Sequence, residues 1–145
     1  MAGTVSITHE HLHAIAIVVV AWTADGSGDA DGTTVANIAS GTDPFIVVGE
    51  LIKGVTIPGT AGTQPDDNYN VVLTNSDGVN ILANAEADLL TRDETDTEEV
   101  YFHVTDTGGN GLSMAPVTSG PLTITVDSAG ASNTGVVKLY YHHHS

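Results

Sequence analysis

Three histidines occupy alternate positions near the amino terminus, where residues 8–13 read Thr-His-Glu-His-Leu-His. Successive side chains of a β-strand point to opposite faces, so an extended segment places His9, His11 and His13 on one face. Neutral imidazoles bind zinc, nickel or copper, and a His-x-His pair can place two nitrogens on one ion. The first and third histidines of a strand lie roughly 13 Å apart, so only a neighbouring pair such as His9 and His11 could chelate. The alternatives are a solvated strand and a strand that lies against another subunit.

A second candidate cation site lies in the segment of glycine and aspartate at residues 25–32. Ser27, Asp29 and Asp31 offer an oxygen at alternate positions before a glycine, as in loops that wrap Ca²⁺. The match is incomplete, because serine replaces the first carboxylate and Ile38 stands where a bidentate glutamate is expected. A solvated turn is the simpler interpretation, and we favour neither candidate as a metal site.

Sequence motifs of enzymes are absent from the chain. It has no Gly-x-Ser-x-Gly elbow, no phosphate-binding loop and no His-Glu-x-x-His helix, and it contains no cysteine. The acidic residues at positions 93–99 could form carboxylate pairs, but they lie in a connector rather than on the rigid strands that sugar hydrolysis needs. We therefore expect no catalytic residue, no cofactor and no enzymatic activity.

The charge composition excludes two classes of partner. Three Lys and Arg residues oppose 18 Asp and Glu residues, which gives a formal net charge of -15. The three cations, Lys53, Arg92 and Lys138, are too few and too scattered to follow a phosphate backbone or an anionic membrane. We expect neither nucleic acid nor membrane as a partner, and a surface rich in carboxylates suits high salt or the exterior of a particle.

The sequence pattern is typical of strands and turns. Its apolar content consists of Val, Ile, Leu and Ala, interspersed with Thr and 16 glycines. The Asp77-Gly78 pair predicts a tight hairpin, and one short helical turn is predicted at Ala83–Leu90. We expect about seven to nine strands in one all-β domain over residues 1–145, an antiparallel sandwich or barrel of jelly-roll type. The predicted strands include Val5–Trp22, Thr33–Ile38, Phe45–Ile57, Tyr69–Thr74, Val79–Leu82, Val100–Thr105, Leu122–Val126 and Val136–Tyr141.

The predicted core is drawn from the apolar positions of these strands. The run Ala14–Val20 is apolar at every position, so it is predicted to be buried on both faces. The core is expected to include Ile15, Ile17, Val19, Val47, Leu51, Val71, Leu73, Ile81, Val104, Ile124, Val126 and Val137.

The two ends of the chain are predicted to extend from this domain. Residues 1–13 form an arm that could add an edge strand to a neighbour by β-augmentation, and residues 142–145 form a short tail. On this hypothesis the contact with another subunit or with a capsid is lined by Val5, Ile7, His9, His11 and His13.

Two parts of the sequence resemble small structural proteins of tailed bacteriophages. The first begins with Gly-Val-Thr-Ile-Pro-Gly at residues 54–59 and continues with Pro-Asp-Asp-Asn-Tyr-Asn-Val-Val-Leu-Thr-Asn-Ser-Asp-Gly-Val at 65–79. The second consists of Leu-Thr-Ile-Thr-Val-Asp-Ser-Ala-Gly at 122–130 and Thr-Gly-Val-Val-Lys-Leu-Tyr at 134–140. The first forty residues fall outside the resemblance, and no functional residue transfers from it.

This resemblance implies a small β-rich virion protein without catalysis, such as a capsid decoration (cement) protein on the outer surface of the head. The expected partners are the major capsid protein and the chain itself, as a dimer or trimer. The protein would be made in the host cytoplasm and would become part of the virion. The alternative is a carbohydrate- or receptor-binding module of a tail or fibre, in which exposed aromatic residues and loop carboxylates contact sugar. Few aromatic residues are available for this role, and most of them lie within predicted strands: Trp22, Tyr69, Tyr101, Tyr140 and Tyr141.

Overall fold

A computed structural model of the chain describes residues 4–12, 14–27, 48–75, 77–81, 92–103, 117–119 and 122–143. Within these ranges the chain forms antiparallel β-sheets and no helix, which confirms the predicted all-β class. The predicted strand Thr33–Ile38 and helical turn Ala83–Leu90 lie outside them. The strands are β1 (Thr4–Leu12), β2 (Ile15–Thr23), β3 (Val48–Pro58), β4 (Asn70–Asn75), β5 (Glu98–Tyr101), β6 (Val117–Ser119), β7 (Leu122–Asp127) and β8 (Thr134–His143).

The larger sheet has six strands, in the order β1-β2-β8-β3-β5, and β6 pairs with the beginning of β3. The last strand of the chain therefore lies between β2 and β3. Strand β3 shifts register against β8 between Leu51 and Lys53, so Ile52 is an extra residue that has no partner in β8. The carbonyl oxygen of Ile52 instead accepts a hydrogen bond from the amide of Phe102, just beyond β5.

The smaller sheet pairs β4 with β7, from Asn70 opposite Asp127 to Asn75 opposite Leu122. The predicted turn after β4 is present: Gly78 has a φ of +79° and its amide donates to the carbonyl of Asn75. The predicted strand after this turn is reduced to one isolated bridge, between Thr74 and Asn80. The prediction of a hairpin was therefore only partly correct, because the main partner of β4 is β7.

One hydrophobic core includes residues of both sheets. The prediction was correct for Leu51, Val71, Leu73, Ile124, Val126 and Val137, and Ile81 packs against the core from its edge. Val47 and Val104 lie outside the described residues. On β2 the core side chains are Ala16, Val18, Val20 and Trp22.

The predicted core positions on β2 were correct only for Ile17, which is buried at 5% exposed but lies on the face opposite to the main cluster. Ile15 and Val19 share that face and are half-buried, so their prediction as core residues was wrong. The physical reason is that β2 is apolar at both odd and even positions, so a period of two does not select the face.

Three loops are joined at one end of the fold. The amide of Ala24, after β2, donates to the carbonyl of Asn133 over 2.8 Å, and the amide of Thr134 donates to the carbonyl of Thr63 over 2.7 Å. The amide of Asp66 donates to the carbonyl of Ala129 over 2.8 Å. These bonds join the loops after β2 and after β3 to the loop before β8. They hold the three strands in fixed register at this end.

Candidate functional site

The segment that holds the predicted contact residues is strand β1. It pairs with β2 along all of its nine residues, from Thr4 opposite Thr23 to Leu12 opposite Ile15. The chain thus reverses between Leu12 and Ile15, where the sequence predicted one continuous strand. Residues 4–12 therefore belong to the sheet of their own chain, which corrects the expectation of an arm extending away from the domain.

The register of β1 decides which face each position occupies. Residues directly opposite each other in an antiparallel pair share a face. His9 lies opposite Val18 and His11 opposite Ala16, which are core residues of β2. These histidine positions therefore belong to the core-facing side of β1, and His13 lies outside the described residues.

The remaining predicted contact positions follow the same alternation. Val5 lies opposite Trp22 and Ile7 opposite Val20, again on the core-facing side. Ser6, Thr8 and Glu10 occupy the other face and are exposed. What β1 offers to a neighbour is thus its backbone edge, together with the side chains of this second face.

The two end strands of the large sheet differ in how well they are protected against further pairing. Natural edge strands are commonly short or carry lysine, proline or other charges that discourage a new strand. Strand β5 has four residues and includes Glu98 and Glu99. Strand β1 has nine residues, with no proline, no lysine and Glu10 as its one charged residue other than histidine. Within the described part of the sheet no strand pairs with its outer edge, so β1 is the edge best suited to take another strand.

A cation lies between aromatic rings on the face of the large sheet that is turned away from the core, which we call the outer face. Lys53 forms an ion pair with Glu99, and its Nζ lies 4.5 Å from the ring centroid of Tyr140 and 5.5 Å from that of Tyr101. The hydrogen bond that Lys53 donates to Glu99 raises the pKa of Lys53 above its ordinary value, although burial opposes the shift. Tyr101 is 58% exposed, so this cluster presents an aromatic ring beside a positive and a negative charge.

The other aromatic residues considered for a sugar-binding surface are buried. Trp22 and Tyr141 are core residues, and Tyr69 packs against Trp22 with ring centroids 5.6 Å apart. They are unavailable for stacking on a ligand. Tyr101 and Tyr140 are the two that remain on the surface.

The candidate cation sites are only partly described. The backbone amide of Ser27 donates to Oδ1 of Asp25 over 2.7 Å, which forms a local turn, and Asp29 and Asp31 lie outside the described residues. Among the side chains that the structure describes, no group of three or more His, Asp or Glu residues could hold a metal ion. Within the same part of the chain, no helix is long and apolar enough to cross a membrane.

The acidic connector before β5 uses its carboxylates to order the backbone. Oδ1 of Asp93 accepts hydrogen bonds from the amides of Thr95 and Asp96, over 2.7 and 2.8 Å, and from the hydroxyl of Thr95 over 2.9 Å. The two amide bonds lower the pKa of Asp93. Oε2 of Glu98 lies 3.3 Å from Nη1 of Arg92 and accepts from the amide of Asp93. These carboxylates therefore have structural partners.

Comparison with known proteins gives no relative: no protein family, no curated protein and no solved structure matches the chain. The function has to be inferred from the surfaces of the molecule itself. The sequence identified β1 as a candidate contact, whereas the cluster of Lys53, Tyr101 and Tyr140 was missed because its members come from three strands that are distant in sequence.

Proposed function

We propose that this protein is a non-enzymatic capsid decoration (cement) protein, which binds the outer surface of a tailed-phage head and stabilises it. Its partner on this proposal is the major capsid protein, and its location is the virion. The sequence resemblance at residues 54–59, 65–79, 122–130 and 134–140 supports this class. The net charge of -15 also supports it, since a solvent-facing acidic surface suits the exterior of a particle.

The observation that carries the proposal is the outer edge of β1, which no strand of the described residues pairs with and which we call the free edge. A strand at the end of a sheet has unpaired N–H and C=O groups along one side, and a partner strand can satisfy them by β-augmentation. The main-chain bonds supply adhesion, while exposed side chains such as Thr8 and Glu10 lie beside the added strand. Binding of this kind requires no turnover and no cofactor.

We also propose that the fold is a jelly-roll-like sandwich. In a jelly roll a long antiparallel ribbon is folded over, so early strands pair with late ones across two sheets. The pairing of β4 with β7 inside the pairing of β3 with β8 follows this order, whereas the pairing of β1 with β2 and of β3 with β5 departs from it. The core shared by the two sheets supports a two-layer arrangement.

The experiment measures protection of phage heads that lack their decoration protein, with the full-length chain added back. Adjacent residues of a strand direct their N–H groups to opposite sides of the strand. Of Ile7→Pro and Thr8→Pro, one therefore removes a backbone hydrogen bond to β2. The other removes a donor from the free edge and prevents a partner strand from pairing there. The variant that keeps the wild-type circular dichroism is the free-edge variant, and it should no longer protect heads against heat. Thr8→Ala and Ile7→Ala are the matched controls and should still protect.

Full protection by a folded free-edge proline variant would refute the β1 contact. Loss of protection by the wild-type protein only when a chelator is present would instead favour a metal role for His9 and His11. Locating the protein over the whole head, rather than at the tail, would support decoration.

A tail- or fibre-associated carbohydrate- or receptor-binding module is the second candidate, and it rests on the exposed ring of Tyr101 beside Lys53 and Glu99. Sugar rings stack on aromatic faces, and the two charges could bond to hydroxyl groups. Glycan-array binding that is lost in Tyr101→Ala and kept in Val79→Ala would favour this candidate. Val79 is a suitable control because it is also exposed, at 56%, in a turn.

A further inference from the structure

Strand β1 has one carboxylate on its exposed face. Ser6, Thr8 and Glu10 lie on the side of β1 that is turned away from the core, and all three are exposed. Glu10 lies opposite Ile17 of β2, so no cation faces it across this pair of strands. Among the residues that the structure describes, the carboxylate of Glu10 has no ion pair. A strand added to the free edge would therefore lie beside an unpaired negative charge.

The cations of the chain leave this charge uncompensated. Lys53 and Arg92 each form an ion pair with a glutamate of β5, at the other end of the large sheet. Lys138 belongs to β8, which is separated from β1 by β2. With a net charge of -15, the chain as a whole presents a negative potential to any molecule that approaches.

The charge of Glu10 determines which strands can pair with β1. A charge on an edge strand discourages pairing with an apolar or acidic strand, because the carboxylate loses water without gaining a counterion. A lysine or arginine at the facing position offsets this loss and adds a cross-strand pair of opposite charges. A second copy of the chain would bring another net charge of -15, so charge disfavours pairing of β1 with itself. The free edge thus discriminates in favour of a basic strand.

We propose that the occupant of the free edge is an extended basic segment of the capsid protein, paired antiparallel to β1, with a lysine or arginine that faces Glu10. Antiparallel pairing is the more stable of the two arrangements. The partner residues opposite Ser6 and Thr8 are polar. Those opposite Val5 and Ile7 are apolar, because these two positions belong to the core-facing side of the sheet. This inference rests on the β1 contact of the proposed function and adds the chemistry of the partner.

The contact should depend on salt concentration. Attraction between an acidic chain and a basic segment speeds their encounter, and the pair at Glu10 adds specificity. Salt screens both effects, so the dissociation constant should rise with ionic strength. A contact held by apolar packing alone would lack this dependence.

Synthetic peptides of nine residues, added to the full-length chain, test the preference. The basic peptide reads Thr-Val-Lys-Val-Thr-Val-Thr-Val-Thr, and antiparallel pairing with Thr4–Leu12 places its lysine opposite Glu10. The acidic peptide has glutamate in place of that lysine. N-methyl groups on alternate residues leave each peptide one edge that can pair, which prevents the peptides from stacking on each other. Both alternations are synthesised, because only one of them leaves the edge toward β1 unmethylated.

Amide chemical shifts of β1 during the titration locate the peptide and give its dissociation constant. At ~50 mM salt the basic peptide should bind about threefold to tenfold more tightly than the acidic one, and at ~0.5 M salt the difference should shrink. Glu10→Lys should abolish or reverse the preference. Asp77→Lys is the matched control and should keep it, because it changes the net charge equally at an exposed turn residue. Circular dichroism should show that both variants keep the fold.

Three results would overturn the proposal. One is equal affinity of the two peptides for the wild-type chain. Another is a preference that Glu10→Lys retains, since net charge rather than the facing carboxylate would then control binding. The third is the absence of peptide-induced shifts in β1.

These results are distinguishable from a failure of the proposed function. Suppose that the free-edge proline variant no longer protects heads and that the two peptides bind equally well. Decoration through β1 would then stand, and the basic partner would be refuted. If the basic peptide is preferred as expected but the wild-type chain protects no head, the preference of the edge would stand and decoration would be refuted.

Discussion

Trp22 lies directly across the backbone of Gly135, its cross-strand partner in β8. A β-carbon built on Gly135 would come within 2.5 Å of Cζ2 and 2.8 Å of Cε2 of the indole. The indole also packs against the ring of Tyr69, the residue before β4, with ring centroids 5.6 Å apart and the planes inclined at 48°. The absence of a side chain at Gly135 therefore lets one tryptophan contact the large sheet and the aromatic core at the same time.

Gly135→Ala should destabilise the fold by about 1–3 kcal/mol, because the added methyl group forces the indole or the strand to move. Urea unfolding followed by tryptophan fluorescence measures the change. Gly26→Ala is the matched control, since a β-carbon at Gly26 would meet nothing within 4 Å. Equal stability of the two variants would contradict the close packing of Trp22 on β8.

The strands themselves were largely predictable from the sequence, but their pairing was not. Alternation placed Leu122–Val126 within β7, and the turn residues at 75–78 marked the end of β4. The reversal between Leu12 and Ile15 was missed because that segment has no glycine, proline or asparagine to signal a turn. Strand order depends on contacts between distant segments, and local periodicity does not contain it.

The candidate site was likewise predictable from the sequence only in part. Alternation predicted that His9 and His11 share one face, but which face depends on the register with β2. The outer-face cluster requires Lys53 of β3 to meet Tyr140 of β8, and the extra residue Ile52 sets that register. An irregularity of this kind depends on tertiary packing rather than on a local sequence signal.

Tyr69→Phe should leave the stability unchanged or raise it by up to about 1 kcal/mol. The hydroxyls of Tyr69 and Thr56 are buried, and neither has a hydrogen-bond partner of normal geometry among the residues that the structure describes. The Thr56 side chain is nevertheless close enough to act on the pKa of Tyr69. Burial raises that pKa, with a smaller opposing effect of Thr56. Removing an unsatisfied buried group abolishes its desolvation cost. Thermal and urea unfolding measure the difference.

Asn70→Ala is the contrasting variant for this prediction. Nδ2 of Asn70 donates to Oδ1 of Asp127 over 2.8 Å in a half-buried cross-strand pair. Its loss should cost about 1 kcal/mol or somewhat more, because the acceptor is a carboxylate. If Tyr69→Phe cost more than Asn70→Ala, the Tyr69 hydroxyl would have a partner, such as a bound water.

The turn at Asp93–Asp96 follows the isolated β-bridge between Tyr69 and Arg92. This turn should open in acid, when the carboxylate of Asp93 becomes protonated. Amide donors from Thr95 and Asp96 lower the pKa of this carboxyl below 3.8, so its stabilising effect is complete above that pH and is lost as the pH falls through the lowered value. Amide chemical shifts of Thr95 and Asp96 should follow this titration. Asp93→Asn keeps an oxygen acceptor without the titration, so its amide shifts should lack the acid transition. A transition of the same midpoint in Asp93→Asn would show that another group controls the turn.

Lys53 should stabilise the fold at neutral pH. This stabilisation should be lost as the pH rises, whereas that of Asp93 is lost as the pH falls. Its pKa is raised above 10.5, mainly by the hydrogen bond to Glu99, so its stabilising effect is complete below that pH and is lost as the pH rises through the folded-state value. At neutral pH the ion pair and the stacking on Tyr140 should together contribute about 1 kcal/mol or less, because the pair is partly exposed and screened by solvent. Urea unfolding of wild type and Lys53→Met from pH 7 to about pH 11 isolates this contribution, since both proteins share the titration of the other groups. The difference in unfolding free energy should be constant near neutrality and should shrink only at alkaline pH. A difference that stays constant up to the highest pH would show that Lys53 stabilises the face through packing of its aliphatic stem, and that its charge contributes nothing.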